Sequence, residues 1–560
     1  MSARSGPFNA VSALQEAFSL QRGGQLREAE RIYSRVLKSA PDNFDALNLL
    51  GALKLRQGQA GEAQRLLSAA VKVNPRVAGA WSNLGQALHV LKRTPEALEC
   101  LDKARVLAPE DAAILNQHAN VLVSVGRPQE ALAELKEVLM RAPNHVEARL
   151  SSGIVYAMLG SPEQALADFD AALKLASDHP GGHYNRGVAL LALGRYAEAV
   201  EANDRAVARA PQYAAAWLNR GKALMQLNRC DEAVTSYAQA LAIRKDYPDA
   251  HFNMALALLT RGDYREGFED YEWRWRRTGM PPPASRGKPL WLGEYPLARK
   301  TVLLHCEQGL GDTIQFARYV PLIAAGGTKV ILEVQAELKS LMSRLHGAAA
   351  VIARGEEAPP FDVHCPLGSL PLALHTDRTT VPAEIPYLAA DDAKLAQWSE
   401  RLAALPRPRV AFSWSGNPSH DNDRNRSIPF ARLTQLFAAP ANFISIQREV
   451  RPDDAVALAA EPRVTHLGPA LDDFSDTAAV LALCDVVIAV DTAPAHLAGA
   501  LGRPLWVLLP FAPDWRWTRK GPVTPWYPTA RLFRQTAPGD WDSIIARVAE
   551  EIERFHAASG

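Results

Sequence analysis

A strict repeat runs through the first half of this 560-residue chain. Ala29, Ala63, Ala97, Ala131, Ala165, Ala199 and Ala233 recur every 34 residues, and Gly267 follows in phase. Gly51, Gly85, Ala119, Gly153, Gly187, Gly221 and Ala255 hold a second column, and Pro41, Pro75, Pro109, Pro143 and Pro211 a third. The proline column lapses at Ser177 and Lys245, with Pro180 and Pro248 nearby. A position that is always small marks where two helices touch, and proline ends a unit because it has no amide to continue a helix. Self-similarity at this period means stacked supersecondary units, none of which buries its apolar face alone.

The pattern resembles the tetratricopeptide repeat (TPR), whose 34-residue unit is a helix hairpin. About seven repeats span 10–250 and a capping pair follows at 251–275, so residues 1–275 are expected to form an α-helical TPR superhelix with a concave groove. Asn83, Asn185, Asn219 and Asn253 share one position in the repeat, where other units carry Leu49, Gln117 and Ser151. Side-chain amides both donate and accept, so a ladder of them can grip a peptide backbone whatever its side chains. The column resembles the asparagine ladder of TPR-bearing O-linked N-acetylglucosamine transferases, which implies that these four residues bind an acceptor peptide. The same asparagines also suit helix–helix packing within the repeat.

Composition narrows the function classes. Lys plus Arg total 62 against 61 Asp plus Glu, a net charge of +1, which argues against nucleic acid or anionic lipid as the partner. Hydrophobic residues at 48% and charged residues at 22% exclude wholesale disorder. Cys100, Cys230, Cys306, Cys365 and Cys484 show no CxxC spacing, so neither a zinc cluster nor a disulfide framework is signalled. No signal peptide opens the chain and no run of 18 apolar residues crosses it, so a cytoplasmic protein without a membrane span is expected.

Beyond Trp275 the periodicity changes. A segment rich in Pro, Gly and basic residues, 276–295, reads as a linker. Short apolar runs then alternate with amphipathic stretches: TVLLH (301–305), KVILEV (329–334), RVAFSW (409–414), NFISIQ (442–447), DVVIAV (485–490) and PLWVLL (504–509). Strands of this length separated by helices predict βαβ units in parallel sheets. Two sets, 296–405 and 406–545, predict two Rossmann-like lobes, with 546–560 as a C-terminal helix end. Ligands of such sheets bind at the carboxyl ends of the strands.

Three motifs stand there. Glu307-Gln-Gly-Leu-Gly-Asp312 follows the first strand; Gly309 and Gly311 permit a tight turn and close approach to a ligand, and Asp312 opens a helix, where an Asp is also a common N-cap. Val490-Asp-Thr-Ala-Pro-Ala-His496 follows DVVIAV, with Pro494 in the first helical turn, and free amides at a positive helix end suit a phosphate. His496 there either faces that phosphate or fills the turn against the sheet. The loop 414–427 carries Arg424 and Arg426, whose guanidinium groups match phosphate oxygens or pair with Asp421 and Asp423.

Together these motifs resemble GT-B glycosyltransferases, specifically the heptosyltransferase-like family. The resemblance covers about 300–540. It implies that Asp312 is the catalytic base, that Asp491, Thr492 and His496 bind a nucleotide sugar, and that Arg426 holds its phosphates. Gly309, Gly311, Arg424 and the amide of Ala493 are expected to line the same site. Gln447 and Glu449, just after NFISIQ, are placed to hydrogen-bond the ribose or base. Many heptosyltransferases have Lys where Arg426 stands and Gly where Ala493 stands, so the donor sugar does not carry over. GT-B enzymes generally need no metal, so no cofactor or metal is expected. Asp391-Asp392, Asp453-Asp454 and Asp472-Asp473 read as solvated loop carboxylates.

Fused TPR and GT-B units also resemble O-linked N-acetylglucosamine transferases and the bacterial TPR glycosyltransferases that modify proteins such as flagellin. The resemblance implies inverting transfer from a nucleotide sugar to Ser or Thr of a polypeptide. Two other readings stand beside it: a glycan or lipopolysaccharide acceptor with the repeats as a docking module, and a non-catalytic scaffold. Trp515, Trp517, Trp526 and Trp541 are expected mainly in core and interlobe packing.

Overall fold

The computed structural model describes residues 9–279, 287–420 and 422–559. Part of the expected linker (280–286), and Asp421 of the arginine loop, lie outside the described residues. The chain divides into two compact units, Met1–Gln212 and Tyr213–Gly560.

The first unit holds six helix hairpins, from Ala10–Arg22 with Leu26–Ser39 to Pro180–Ala192 with Tyr196–Arg209. The small-residue columns take their meaning here. A methyl on Gly51 would meet Leu67 Cγ at 2.6 Å, and one on Gly153 would meet Phe169 Cε1 at 2.5 Å. Gly51, Gly85 and Gly153 on first helices thus receive Leu67, Leu101 and Phe169 from the second helix of the hairpin. Ala29, Ala63, Ala97, Ala131, Ala165 and Ala199 are wholly buried. Turns inside the hairpins need left-handed backbone, supplied by Gly58, Gly126, Gly160 and Gly194 at φ 73–77°. Lys92 holds the same position at φ 63°.

The second unit opens with two more hairpins, Ala214–Gln226 with Cys230–Ile243 and Pro248–Arg261 with Tyr264–Tyr271, closed by a 3-10 turn, Glu272–Arg276. The eighth hairpin, expected as the cap of the repeat array, is also built into the core of the α/β region. Tyr264 and Phe268 pack edge-on to Trp515, at ring separations of 6.1 and 5.6 Å, and Trp526 Nε1 donates to the Tyr264 hydroxyl at 3.1 Å. Trp515, Trp517, Trp526 and Trp541 are all buried, as packing requires.

Two wholly parallel sheets follow. The first comprises β1 (Thr301–His305), β2 (Lys329–Val334), β3 (Ala348–Ala353) and β4 (Val363–Pro366) in the order β3-β2-β1-β4. The second comprises β5 (Arg409–Ser413), β6 (Asn442–Ser445), β7 (Val464–His466), β8 (Val486–Val490), β9 (Leu505–Leu509) and β10 (Ala530–Arg534) in the order β10-β9-β8-β5-β6-β7. The strand order reverses between β1 and β4 and between β5 and β8, and such reversals leave a crevice at the carboxyl ends. The two lobes share one apolar core, which includes Val302, Leu332, Ile444 and Val487. Helix Asp392–Arg401, expected within the first lobe, packs on helix Phe474–Leu483 of the second, with Trp398 Nε1 donating to Asp476 Oδ1 at 2.8 Å. The C-terminal helix Trp541–Ser559 begins within the range expected for the second lobe and buries Trp541, Ile544, Ile545, Val548 and Ile552 at helical spacing.

Candidate active site

The turn after β1 leads into helix Leu310–Phe316, and the turn after β8 into helix Ala493–Ala500. The two first turns face each other across the lobes. A methyl on Gly311 would stand 2.8 Å from His496 Cδ2 and 3.5 Å from Ala493 Cα. Gly311 is thus a close-approach residue between helices.

Asp312 sits at the entrance formed there. Its Oδ1 accepts from Arg516 Nη2 at 2.6 Å, and Oδ2 turns toward Gly309. Arg516 is buried and also donates to Gln315 Oε1 at 2.5 Å and Asp514 Oδ1 at 2.9 Å. The Asp312 side chain keeps 40% of its surface open, with protein atoms on every other side. That desolvation, reinforced by Glu307 and Asp514, holds its carboxyl above the usual carboxylate range, against the pull of Arg516 and Arg274.

Across the β5/β8 reversal, Arg426 Nη1 donates to the Asp491 carbonyl at 2.9 Å, and its Nε lies 3.6 Å from Asp423. Asp423 is clamped in turn by Arg451 and by Ser427 Oγ at 2.8 Å. The Asp491 carboxyl is pushed up to about 6, first by burial and then by Asp514. Thr492 precedes the helix, its hydroxyl donating to the Val490 carbonyl at 3.1 Å.

On the other wall, Glu307 receives Arg274 in two hydrogen bonds, Nε to Oε2 at 3.0 Å and Nη2 to Oε1 at 2.8 Å, and accepts from the Gly368 amide at 3.1 Å. A cavity of about 10 Å³, room for one water, is lined by Tyr271, Glu307, Asp312, Thr313, Phe316, Leu367 and Gly368.

Comparison with known proteins agrees with this architecture. Residues 20–76, 53–112, 116–180, 159–214 and 221–262 match tetratricopeptide-repeat profiles, and residues 449–531 match glycosyltransferase family 9 (heptosyltransferase). The matches thus fall as tetratricopeptide repeats in the first half of the chain and as glycosyltransferase family 9 over part of the second. The chain is 28% identical over 327 residues to Protein FlbA of Caulobacter vibrioides, covering 54% of each chain, so it spans about half the length of that curated relative. Among solved structures it is similar to a tetratricopeptide repeat protein from Parabacteroides merdae (17% identity, TM-score 0.37, covering 44% of this chain and 98% of that one). A TPR protein of Thermus thermophilus is similar at 25% identity, with a TM-score of 0.30, covering 33% of this chain and all of that one.

Within the α/β region, several expected ligand contacts have other partners. Gln447 is the clearest: its Oε1 accepts from the Trp414 and Ser415 amides at 3.2 and 3.3 Å, and its Nε2 donates to the Ser415 and Glu449 carbonyls. Its amide is used in holding the loop after β5, so it is not free for a ribose or base. Glu449 is exposed on the surface beside it. His496 is buried, shares a hydrogen bond with the Tyr527 hydroxyl at 2.9 Å and stacks on Trp517. Burial, and then the nearby arginines, push it well below its ordinary pKa, so it is neutral and packs the interlobe contact rather than offering charge to a phosphate. Arg424 is exposed, whereas Arg426 is half-buried at the crevice. Nor are the paired aspartates simply solvated: Asp391 and Asp473 cap helices, and Asp454 is buried, accepting from Trp414 Nε1 and the Phe430 amide.

The asparagine column falls on the first helices of the third, sixth, seventh and eighth hairpins. Asn219 is buried, Asn253 Nδ2 donates to the Asp249 carbonyl of its own helix at 2.7 Å, and Asn83 Nδ2 lies 3.4 Å from Asn48 Oδ1. Glu307, Arg274, Asp514 and Arg516 were not picked out from sequence, although Glu307 and Asp514 follow parallel strands, where position alone marks them as candidates. No helix among the described residues is long and apolar enough to cross a membrane.

Proposed function

We propose that this glycosyltransferase moves a sugar from a nucleotide-sugar donor to a Ser or Thr hydroxyl of a polypeptide, with inversion and without a metal, in the bacterial cytoplasm. The observation that carries the reading is the Asp312 carboxylate, accessible at the carboxyl edge of the first sheet and facing the first turn of the helix after β8. Asp312 takes the hydroxyl proton as the acceptor oxygen bonds to the anomeric carbon. The bond from that carbon to the nucleotide phosphate breaks, and the electron pair leaves with the phosphate. Arg426 and the amides of Thr492 and Ala493 stabilise the departing charge. The polypeptide acceptor, flagellin or another surface protein before export, would lie along the repeats.

A purified chain incubated with UDP-, GDP-, CMP- and ADP-sugars tests this by nucleotide release and by thermal shift with the free nucleotides. A nucleotide at a hundred times its Kd adds about 2.7 kcal/mol to the folded state. Asp312→Asn should retain that shift and lose release, while Arg426→Ala should lose the shift. Turnover by Asp312→Asn would remove Asp312 from the base role, and absence of any shift would favour a non-catalytic scaffold.

The bonding of the asparagine column favours a second reading, in which the acceptor is a glycan and the repeats dock a partner. Asn253 is bonded within its own helix and Asn219 is buried, so those two amides have little left for a peptide. A 213–560 fragment separates the readings: transfer to polypeptide is lost in the first, and transfer to small glycan acceptors persists in the second.

A further inference from the structure

We infer that Arg274, from the turn that closes the repeat array, is a positioning residue of the first-lobe site, holding Glu307 in the wall of the cavity that Asp312 also lines. The repeat end is on this view a component of the site. Arg274 lies in the 3-10 turn Glu272–Arg276 and is only 2% exposed. Five hydrogen bonds use its guanidinium: two to Glu307, one to Ser369 Oγ at 2.7 Å, one to the Tyr271 carbonyl at 3.2 Å and one to Glu272 Oε1 at 2.6 Å. A planar fork aimed at a carboxylate in this way fixes both its charge and its orientation.

Glu307 is held from the other side as well. It accepts from the Gly368 amide, and a methyl on Gly368 would come within hydrogen-bond contact distance of its Oε1, so the carboxylate fills the gap between the ends of β1 and β4. Tyr271, from the last repeat helix, lines the cavity next to Asp312. The charged groups facing Asp312 are Arg516 and Asp514 from the second lobe, Glu307 after β1, and Arg274 behind Glu307; His496, beyond Gly311, is neutral. With Arg274 present, the effect of Glu307 on Asp312 is opposed by the guanidinium behind it. Without Arg274, two carboxylates share one small cavity unopposed, and the like charge of Glu307 raises the proton affinity of Asp312 further.

The role given to Arg274 rests on reading Asp312 as the base, but its first test does not. Asp312 in the full chain is labelled with a water-soluble carbodiimide and glycine ethyl ester, which react with the protonated carboxyl, and the labelling midpoint is followed by peptide mass spectrometry from pH 4 to 8. Arg274→Met should raise the midpoint by about one pH unit, Glu307→Gln should lower it, and the double variant should return it to within about half a unit of wild type. A midpoint unmoved in Glu307→Gln, or a double variant shifted as far as Arg274→Met, overturns the inference; the Glu307→Gln arm decides it even where Arg274→Met fails to fold. The second test is nucleotide release from whichever donor sugar the wild type turns over. There, Arg274→Met should lower kcat at least tenfold with donor KM unchanged, and Arg274→Lys should recover part of the loss. Loss confined to KM would overturn the inference. If the wild type releases no nucleotide, it is the glycosyltransferase reading that fails, and the labelling experiment decides the role of Arg274.

Discussion

Arg516 Nη2 lies 2.6 Å from Asp312 Oδ1, and this pair joins a buried cation of the second lobe to the candidate base of the first. The same guanidinium binds Asp514 and Gln315, so the position of Asp312 depends on a loop some two hundred residues further along the chain. Arg516→Met should therefore both destabilise the fold, by about 1–3 kcal/mol because Asp312 is part open and can be hydrated, and reduce nucleotide release more than the stability loss explains. Chemical denaturation and release kinetics on the same sample separate the two effects.

The Asp491 carboxyl should make binding of the proposed donor pH-dependent. Its folded pKa, about 6, lies above the ordinary 3.8, so the folded state holds the proton more tightly than the unfolded chain. The stabilisation is present at low pH and is lost as pH rises from about 4 through 6, after which the curve is flat. Ionised Asp491 also repels a phosphate at the neighbouring helix end. Calorimetric titration with the bound nucleotide should show affinity falling from pH 5.5 to 7.5, and Asp491→Asn should flatten the profile. A wild-type profile that is flat over this range would overturn the assignment.

Gly311→Ala should separate the two facing helices. The added methyl meets the His496 ring at 2.8 Å, and overpacking of this kind costs about 1–3 kcal/mol. Pairing it with His496→Ala gives a double-mutant cycle, and the joint effect should be smaller than the sum of the single ones because both act on one contact.

Lys92→Gly should stabilise the first unit. Lys92 takes φ 63° where the neighbouring hairpins have glycine, and a left-handed non-glycine residue costs about 1–2 kcal/mol. Part of that gain is offset by the freer glycine in the unfolded chain, leaving about 0.5–1 kcal/mol. Thermal unfolding of the full chain reads the difference; a fall in midpoint would show that Lys92 makes a compensating contact.

Truncation at the expected boundary should fail where truncation at the observed one succeeds. A 277–560 fragment strips Tyr264 and Phe268 from Trp515 and Trp526, exposing aromatic surface worth about 2–3 kcal/mol for each ring removed. A 213–560 fragment keeps those contacts. Near-ultraviolet circular dichroism should show fixed tryptophan environments only in the longer fragment.

Local rules settled a large part of this molecule. Helix hairpins were legible because each depends on contacts within its own 34 residues: Gly153 receives Phe169, and Gly51 receives Leu67, from the same unit. Strands β1, β2, β5, β6, β8 and β9 were legible because each is a run of buried apolar residues. Four escaped: β4 reads Val-His-Cys-Pro with one β-branched residue, β7 has only three residues, β3 begins Ala-Ala-Ala, and β10 alternates with arginines. Asp312 and Asp491 stood out because a turn after a parallel strand is a place where chemistry concentrates.

The partners of those carboxylates were settled only by the tertiary fold. Arg516 and Arg274 sit amid tryptophans in DWRW and EWRW, with no period or spacing to set them apart from other arginines. Gln447 followed a strand as a ligand-binding residue would, yet the backbone of the loop after β5 uses its amide. Periodicity records contacts between residues a fixed distance apart in the chain. Which cation meets which carboxylate across two lobes leaves no such record, because it depends on where elements far apart in sequence pack.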